Sequence, residues 1–430
     1  MKKKKFGIVL LILVIMVVIL SASIFINIYK QQANGVCPSN EIDLTKMNLH
    51  KEEFVDEFKR TIFAIDNWYG HKERKNIDIQ ALEAEFLPQI EKAEFLGEFI
   101  EIMTRLFAKL ENSHSAYLFK SLMRGVNIYC SKIEYKIIVT DNLLNSEVSG
   151  SSIVRGSEII EIDGIPVNEW IASRKKYISS STDHWFIAQA VSQIFQRHQF
   201  EKEERTYSFI PLNGDKIEKM TLKLDKPYYE YAEYRLNPMV ESKEFKNTGY
   251  ISINSMQGEV VNEFDSALSG LKNKENLIID LRKNTGGNSM NGVEIFKRLI
   301  TQPSKALCPN ITVSPHGSLN FRGDVVVLIG TKTLSAAESF IHSLHDSGRA
   351  TFIGSASGGD SGSGPVTYET VNNMYFRFPI RSVDISHIGQ EMEGKGLAPD
   401  IEIEQTYQDF LDGKDTILDF ALEYINKINK

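Results

Sequence analysis

Cysteine is scarce in this chain: Cys37, Cys130 and Cys308 are the only three in 430 residues. An odd, widely spaced set gives neither a disulfide framework nor metal-ligand spacing, so the fold must stand on its hydrophobic core. An excess of positive charge is also missing. The formal net charge is −7, which argues against nucleic acid as a partner. Internal repeats and low-complexity tracts are absent, which excludes solenoids and compositionally disordered arrays. The turn Gly286-Gly287 lacks the lysine and hydroxyl that a phosphate loop needs next to its glycines. Neither a metal nor a cofactor is expected.

One long apolar run is present, at the N-terminus. Lys2 to Lys5 precede an uncharged stretch from Phe6 to Tyr29. About twenty apolar residues span a bilayer as a helix, and basic flanks stay on the cytoplasmic side. Residues 1–30 therefore read as a signal-anchor, with the rest of the chain outside the cytoplasm. Ser21-Ala22-Ser23 offers small residues for cleavage, so a removed signal peptide and a secreted body is the alternative. The length of the run favours the anchor.

The remainder divides by pattern. Residues 31–44 are a polar linker. Across 45–118, Phe54, Phe58, Ile62 and Ile65, then Phe99, Ile100, Met103, Leu106, Phe107 and Leu110, recur at helical spacing and predict a helical N-terminal domain. Short strands dominate 119–236, including one expected over Glu134–Val139. Asp163-Gly164 between Ile159-Ile160-Glu161-Ile162 and Ile165-Pro166-Val167 is a hairpin signal. The charged tract 201–205 reads as a solvated surface turn. From 237 to 410 strands and helices alternate, which predicts an α/β layer whose strand C-terminal ends carry the site. Residues 411–430 predict a closing helix.

Within that layer Asp324–Ile329 is a continuous aliphatic run, as in a strand buried on both faces. Ser335 follows it directly, and Ala336, Ala337, Phe340, Ile341 and Leu344 then recur at helical spacing. A serine at that seam lies among unsatisfied helix N–H groups, where a developing oxyanion is also favoured. It could equally be a plain helix cap. Acyl transfer requires a nucleophile, a base, a group to orient the base, and oxyanion donors. Ser335 and His114 can supply the first two, and Glu393 a carboxylate that orients the base through Ser113. Gly286 and Gly287 let backbone approach a carbonyl closely, and Ala336 N–H lies beside the nucleophile. Each piece alone has a plainer reading. His114 is one of nine histidines, Gly286-Gly287 is an ordinary strand-to-helix turn, and Asp280 with Arg282 reads as a structural ion pair.

Together these segments resemble a known family. D-L-R-x-N-x-G-G at 280–287, S-A-A-E at 335–338, Asp346 to Gly354, and E-G-x-G-x-x-P-D at 393–400 are similar, in this order, to the serine peptidases of the C-terminal processing and tricorn type. The resemblance implies a ClpP/crotonase-like α/β core of strand-strand-helix units, with a helical N-terminal domain and a PDZ-like domain at 119–236. It implies hydrolysis of peptide or protein substrates. Where the processing branch has a catalytic lysine, this chain has Asp360, so the tricorn-like branch is the better match. That branch implies catalytic Ser335, His114, Glu393 and Ser113, with oxyanion donors from Ala336 and from Gly287 in preference to Gly286. The alternative is a non-catalytic peptide- or lipid-binding protein that retains the fold.

Overall fold

The computed structural model describes residues 51–118, 123–142, 153–227, 238–360, 364–370, 374–382 and 386–428. The apolar run Phe6–Tyr29, the linker at 31–44 and Cys37 lie outside the described residues. Among the described residues no helix is long and apolar enough to cross a membrane.

The α/β layer is a six-stranded sheet in the order Val240–Phe245, Thr248–Ile253, Asn276–Asp280, Asp324–Ile329, Thr351–Gly354, Ile401–Glu402. The first pair is antiparallel and every other pair is parallel. Alternation of side chains along each strand explains the continuous aliphatic runs. Ile251, Ile279, Val327 and Phe352 pack beneath the helices Val260–Leu271, Ser289–Leu299 and Ala336–Asp346. Tyr250, Ile278, Val326 and Leu328 face the other way, onto the C-terminal helix Thr416–Ile428. Both faces are therefore covered, as a buried parallel sheet requires.

That closing helix begins at Thr416 rather than 411, after a short helix Tyr407–Leu411. Its start is tied to the sheet through charge. Arg282 donates to Asp280 and, through both terminal nitrogens, to Asp415 at 2.8 and 2.6 Å. Asp415 also accepts from Leu418 N–H at 3.0 Å, capping the helix. The Asp280–Arg282 pair expected as a brace is thus one half of a three-residue network. Asp415→Ala removes a cap and one arm of that network, and should lower stability by about 1–2 kcal/mol. A urea titration followed by circular dichroism would read this as a lower midpoint at unchanged slope.

The helical body comprises Lys51–Trp68, Ile79–Ile90 and Leu96–Ala108. Its core is not purely helical. Tyr117, Met374, Phe376 and Phe378 pack among Phe58, Phe99 and Phe107. These come from a three-stranded antiparallel sheet in which Ala116–Leu118 pairs with Tyr375–Phe378, and that strand with Val366–Glu369. A strand assigned by its place in the sequence to the 237–410 core therefore completes the N-terminal body. Period-2 alternation shows which face of a strand is apolar, but not which body it covers.

The segment between them holds a sheet in the order Ile128–Ile133, Lys136–Asn142, Glu158–Ile162, Glu204–Ile210, Glu218–Lys223, with the helix Asp183–Ser192 packed on it. The strand expected over Glu134–Val139 starts two residues later, at Lys136, and runs to Asn142, after a turn at Glu134 whose φ is 54°. At the Asp163-Gly164 hairpin both turn residues have positive φ, 52° and 78°, as the sequence signal implies. The tract 201–205 is solvated only in part: Lys202, Glu203 and Glu204 are exposed, while its two ends turn inward. Glu201 pairs with Arg174, and buried Arg205 donates to the carbonyls of Ile194 and Gln196. A charge run hides such inward turns because guanidinium donors can satisfy buried carbonyls.

Candidate active site

Three loops leave the C-terminal ends of adjacent parallel strands. One follows Asn276–Asp280 and carries Gly286 and Gly287, another follows Asp324–Ile329 and carries Ser335, and the third follows Thr351–Gly354 and carries Asp360. The Ser335 loop is held tightly. Thr333 Oγ1 donates to Leu281 O at 2.9 Å, and Leu334 N–H donates to Asn284 O at 3.1 Å. Ser335 itself has φ 57° and ψ −120°, a conformation that a residue with a Cβ rarely adopts. Ser335 N–H donates to Glu338 Oε2 at 3.4 Å in a capping-box arrangement at the start of the helix Ala336–Asp346, while the serine hydroxyl also meets His114. A Cβ on Gly286 would meet Ser335 Cβ at 2.7 Å, so glycine there is a steric requirement.

His114 arrives from the end of the helical body. The knot at 110–115 is fixed by Tyr69 OH donating to Leu110 O at 2.6 Å and by Ser179 Oγ, which accepts from Asn112 N–H at 2.9 Å. It places His114 Nε2 2.9 Å from Ser335 Oγ across 221 positions of sequence. Burial, and next the guanidinium of Arg377, lower the imidazole to a pKa of about 4, while Glu393 acts in the opposite sense. The ring is therefore neutral at pH 7 and able to accept a proton. His114 Nδ1 has no hydrogen-bond partner among the described residues.

Glu393 lies near this ring but does not reach it through Ser113. Asn112 Nδ2 donates to both carboxylate oxygens at 3.3 Å, while Asn112 Oδ1 accepts from His114 N–H at 3.0 Å. Asn112 is thus the link between carboxylate and base. Ser113 turns to Asp360, whose Oδ1 accepts from Ser113 N–H at 2.9 Å. Ser181 Oγ bridges Asp360 and Glu393. Burial and then the neighbouring Glu393 push Asp360 up to about 6. Burial also pushes Glu393 up, but Lys75 at 2.7 Å, with His71 and Ser181, more than offsets this and leaves it below the ordinary carboxylate range.

The oxyanion donors sort in the same way. Gly286 N–H is already engaged by Asn284 Oδ1 at 2.9 Å, which removes it from the expected set. Ala336 N–H and Gly287 N–H donate to no described residue. Beneath the nucleophile, buried Glu338 accepts from Ser357 Oγ at 2.6 Å and Gly359 N–H at 2.8 Å, tying the Asp360 loop to the serine helix. Burial raises its pKa to about 8, so at pH 7 it is mostly neutral.

Sequence reasoning missed Asn112, Ser181, Lys75 and Asp360 as parts of this site. Only Asp360 left a signal, as the residue standing where a lysine was sought. No group of histidine, cysteine or carboxylate side chains that could hold a metal occurs among the described residues. A cleft of about 780 Å³ opens beside Ser181 and Gly394, between the helical body and the loop 178–184.

Comparison with known proteins agrees with this architecture. Residues 247–403 match Peptidase family S41, and residues 136–213 match the N-terminal domain of the Bacteroidetes S41 peptidases. Among curated proteins, the tricorn protease homolog of Saccharolobus solfataricus is 27% identical over 236 residues, covering 53% of this chain and 21% of that protein. The carboxyl-terminal-processing protease of Picosynechococcus sp. is 30% identical over 129 residues, covering 28% of this chain and 31% of that protein. The chain thus spans less than a third of these relatives' lengths. Mature CPAF shares the fold, with a TM-score of 0.72 at 15% identity over 88% of this chain and 96% of that one. The tricorn protease structure aligns with a TM-score of 0.51 at 18% identity, over 88% of this chain and 37% of that one. Residues 247–403 thus carry a Peptidase family S41 domain.

Proposed function

We propose that this protein is a serine peptidase that cleaves peptide bonds through an acyl-enzyme on Ser335, working outside the cytoplasm on the end of its N-terminal apolar segment. The observation that carries this reading is the 2.9 Å contact between His114 Nε2 and Ser335 Oγ, beside two unengaged N–H groups. Ser335 Oγ attacks the scissile carbonyl carbon while its proton passes to His114 Nε2. The carbonyl oxygen becomes an oxyanion facing Ala336 and Gly287 N–H. The C–N bond then breaks, and the leaving amine takes the proton from His114. Water repeats the sequence on the ester and frees Ser335.

Asn112 and Glu393 hold and electrostatically support the ring, and Ser113 with Asp360 fixes the loop that presents it. The sheet at 128–223 is read as the PDZ-like domain. A binding protein that merely kept the fold would leave the strained serine and its aligned imidazole without a role.

A fluorophosphonate probe tests this assignment. It should label the purified protein once, at Ser335. Labelling should vanish in Ser335→Ala and slow at least a hundredfold in His114→Ala, as expected when a general base is lost. Labelling at another residue, or undiminished labelling of the folded Ser335→Ala protein, would overturn the assignment.

A further inference from the structure

Ser181 lies in the loop that leads into the helix Asp183–Ser192, and this loop is fixed against the one carrying Asp360. Thr182 Oγ1 donates to Gly358 O at 2.6 Å, and His184 Nε2 lies 2.7 Å from Ser357 O. Gly394 N–H donates to Gly359 O at 2.8 Å, which brings the Glu393 turn to the same place. The Ser181 hydroxyl is thereby held within hydrogen-bond reach of Asp360 Oδ1 and Glu393 Oε1 at once. Glu111 O lies 3.0 Å from it.

A hydroxyl has one hydrogen to donate. It serves one carboxylate, and the other then meets a lone pair unless it carries a proton of its own. Asp360 and Glu393 are only 0% and 2% exposed, so two negative charges around that one oxygen are strongly disfavoured. The surroundings say where the extra proton sits. Glu393 faces Lys75, His71 and Asn112, with Arg74 on its carbonyl, and acts on His114. Asp360 faces Glu393, Glu338, Tyr69 and Ser113, and no cation pairs with it among the described residues. Its Oδ2 is shut off from solvent with no partner, a poor place for charge. Asp360 is therefore the acid and Glu393 the anion. Donors then run in one direction, from Asp360 to Ser181 to Glu393. The cleft of about 780 Å³ opens on Ser181 and gives the proton a way to solvent.

We infer that Ser181 and Asp360 are positioning residues for Glu393, holding one extra proton between the two carboxyls, and that losing this proton loosens the carboxylate's support of His114. The effect on rate rests on the peptidase reading; the shared proton does not. Once Asp360 ionises, two anions contest the single hydrogen of Ser181, and Glu393 is left facing a lone pair or a second charge. The titration belongs to the set rather than to either acid.

The rate at which a fluorophosphonate labels Ser335 in the full-length protein, followed against pH, tests this. In wild type it should rise as His114 loses its proton near pH 4, then fall about two- to tenfold across a titration near pH 6, the range for one lost hydrogen bond. Asp360→Asn cannot titrate and should keep the lower limb and lose the upper. Ser181→Ala should start about two- to tenfold slower at pH 5 and also lack the upper limb. A merely structural role would scale the whole curve by one factor. Urea titrations read the proton without turnover. Between about pH 4 and about pH 6 folded wild type holds a proton that the unfolded chain releases, so its midpoint should fall relative to that of Asp360→Asn across this window and run parallel above it. An upper limb that survives in Asp360→Asn, a Ser181→Ala curve parallel to wild type, or a wild-type rate that climbs through pH 6 would refute the proposal. So would a midpoint difference that is constant with pH. Wild type that never labels would instead count against the peptidase reading, and the urea comparison would still decide the shared proton.

Discussion

Ser335→Ala and His114→Ala should each lower kcat/KM for a cleaved peptide by about 10⁴-fold or more, and the double variant should be no worse than either single one. The two groups act as one unit: the imidazole has no proton to take once the hydroxyl is gone, and the hydroxyl is a poor nucleophile without the imidazole. Additive losses would show that His114 acts independently of Ser335. Stability should respond in the opposite direction at one position. Ser335 holds φ 57° and ψ −120°, strain on the order of 1–3 kcal/mol that alanine retains and glycine relieves. Ser335→Gly should therefore be inactive yet melt above wild type, whereas Ser335→Ala should melt close to it. A glycine variant that melts lower would mean the nucleophile turn is not strained.

Much of this architecture was legible because its signals are periodic and local. The aliphatic run Asp324–Ile329 could hardly be anything but a doubly covered strand, and its five residues after Asp324 are all buried. The alternation of strands and helices expected over 237–410 is met by helices such as Val260–Leu271. Ser335, His114 and Gly287 were legible because each sits in a distinctive local string. What could not be read were pairings between distant polar residues. Asn112 stands beside Ser113 in the same string, yet nothing local says that its amide rather than the serine hydroxyl spans to Glu393. Gly286 and Gly287 differ only in that Asn284 folds back onto one of them. The strand Tyr375–Phe378 announces an apolar face, but the helical core that receives it lies some 270 positions earlier in the sequence, at Phe99 and Phe107. Lys75 had no signal at all, since a lysine in a charged turn reads as solvated.

That lysine should have the largest effect of any residue outside the catalytic set. Its Nζ lies 2.7 Å from Glu393, whose side chain is 0% exposed against 10% for the lysine. Asp360, Ser181 and His71 also face Glu393, and Arg74 donates to Glu393 O at 3.0 Å. In Lys75→Met the burial that raises the Glu393 pKa is opposed only by His71 and Ser181, so the carboxyl holds its proton to higher pH than in wild type. Breaking such a pair should cost about 3–5 kcal/mol at pH 8. The pH dependence carries the sign. In wild type the folded pKa lies below the unfolded value of about 4.3, so the stabilisation is present above pH 4.3 and lost as pH falls through the folded value. In the variant the folded pKa lies above 4.3, the folded state holds a proton that the unfolded state releases, and stability falls as pH rises. The gap between the two proteins should therefore widen from pH 5 to pH 8 in urea titrations. Activity follows the charge: with Glu393 neutral, the imidazolium formed at His114 loses its nearby anion, and kcat should drop by about ten- to a hundredfold at pH 6. It should recover toward wild type as pH rises and Glu393 ionises, while Lys75→Arg keeps both stability and profile. A methionine variant whose stability and pH–rate curve overlay those of wild type would show that Glu393 needs no counter-ion, and with it that the helical body contributes only His114 to the chemistry.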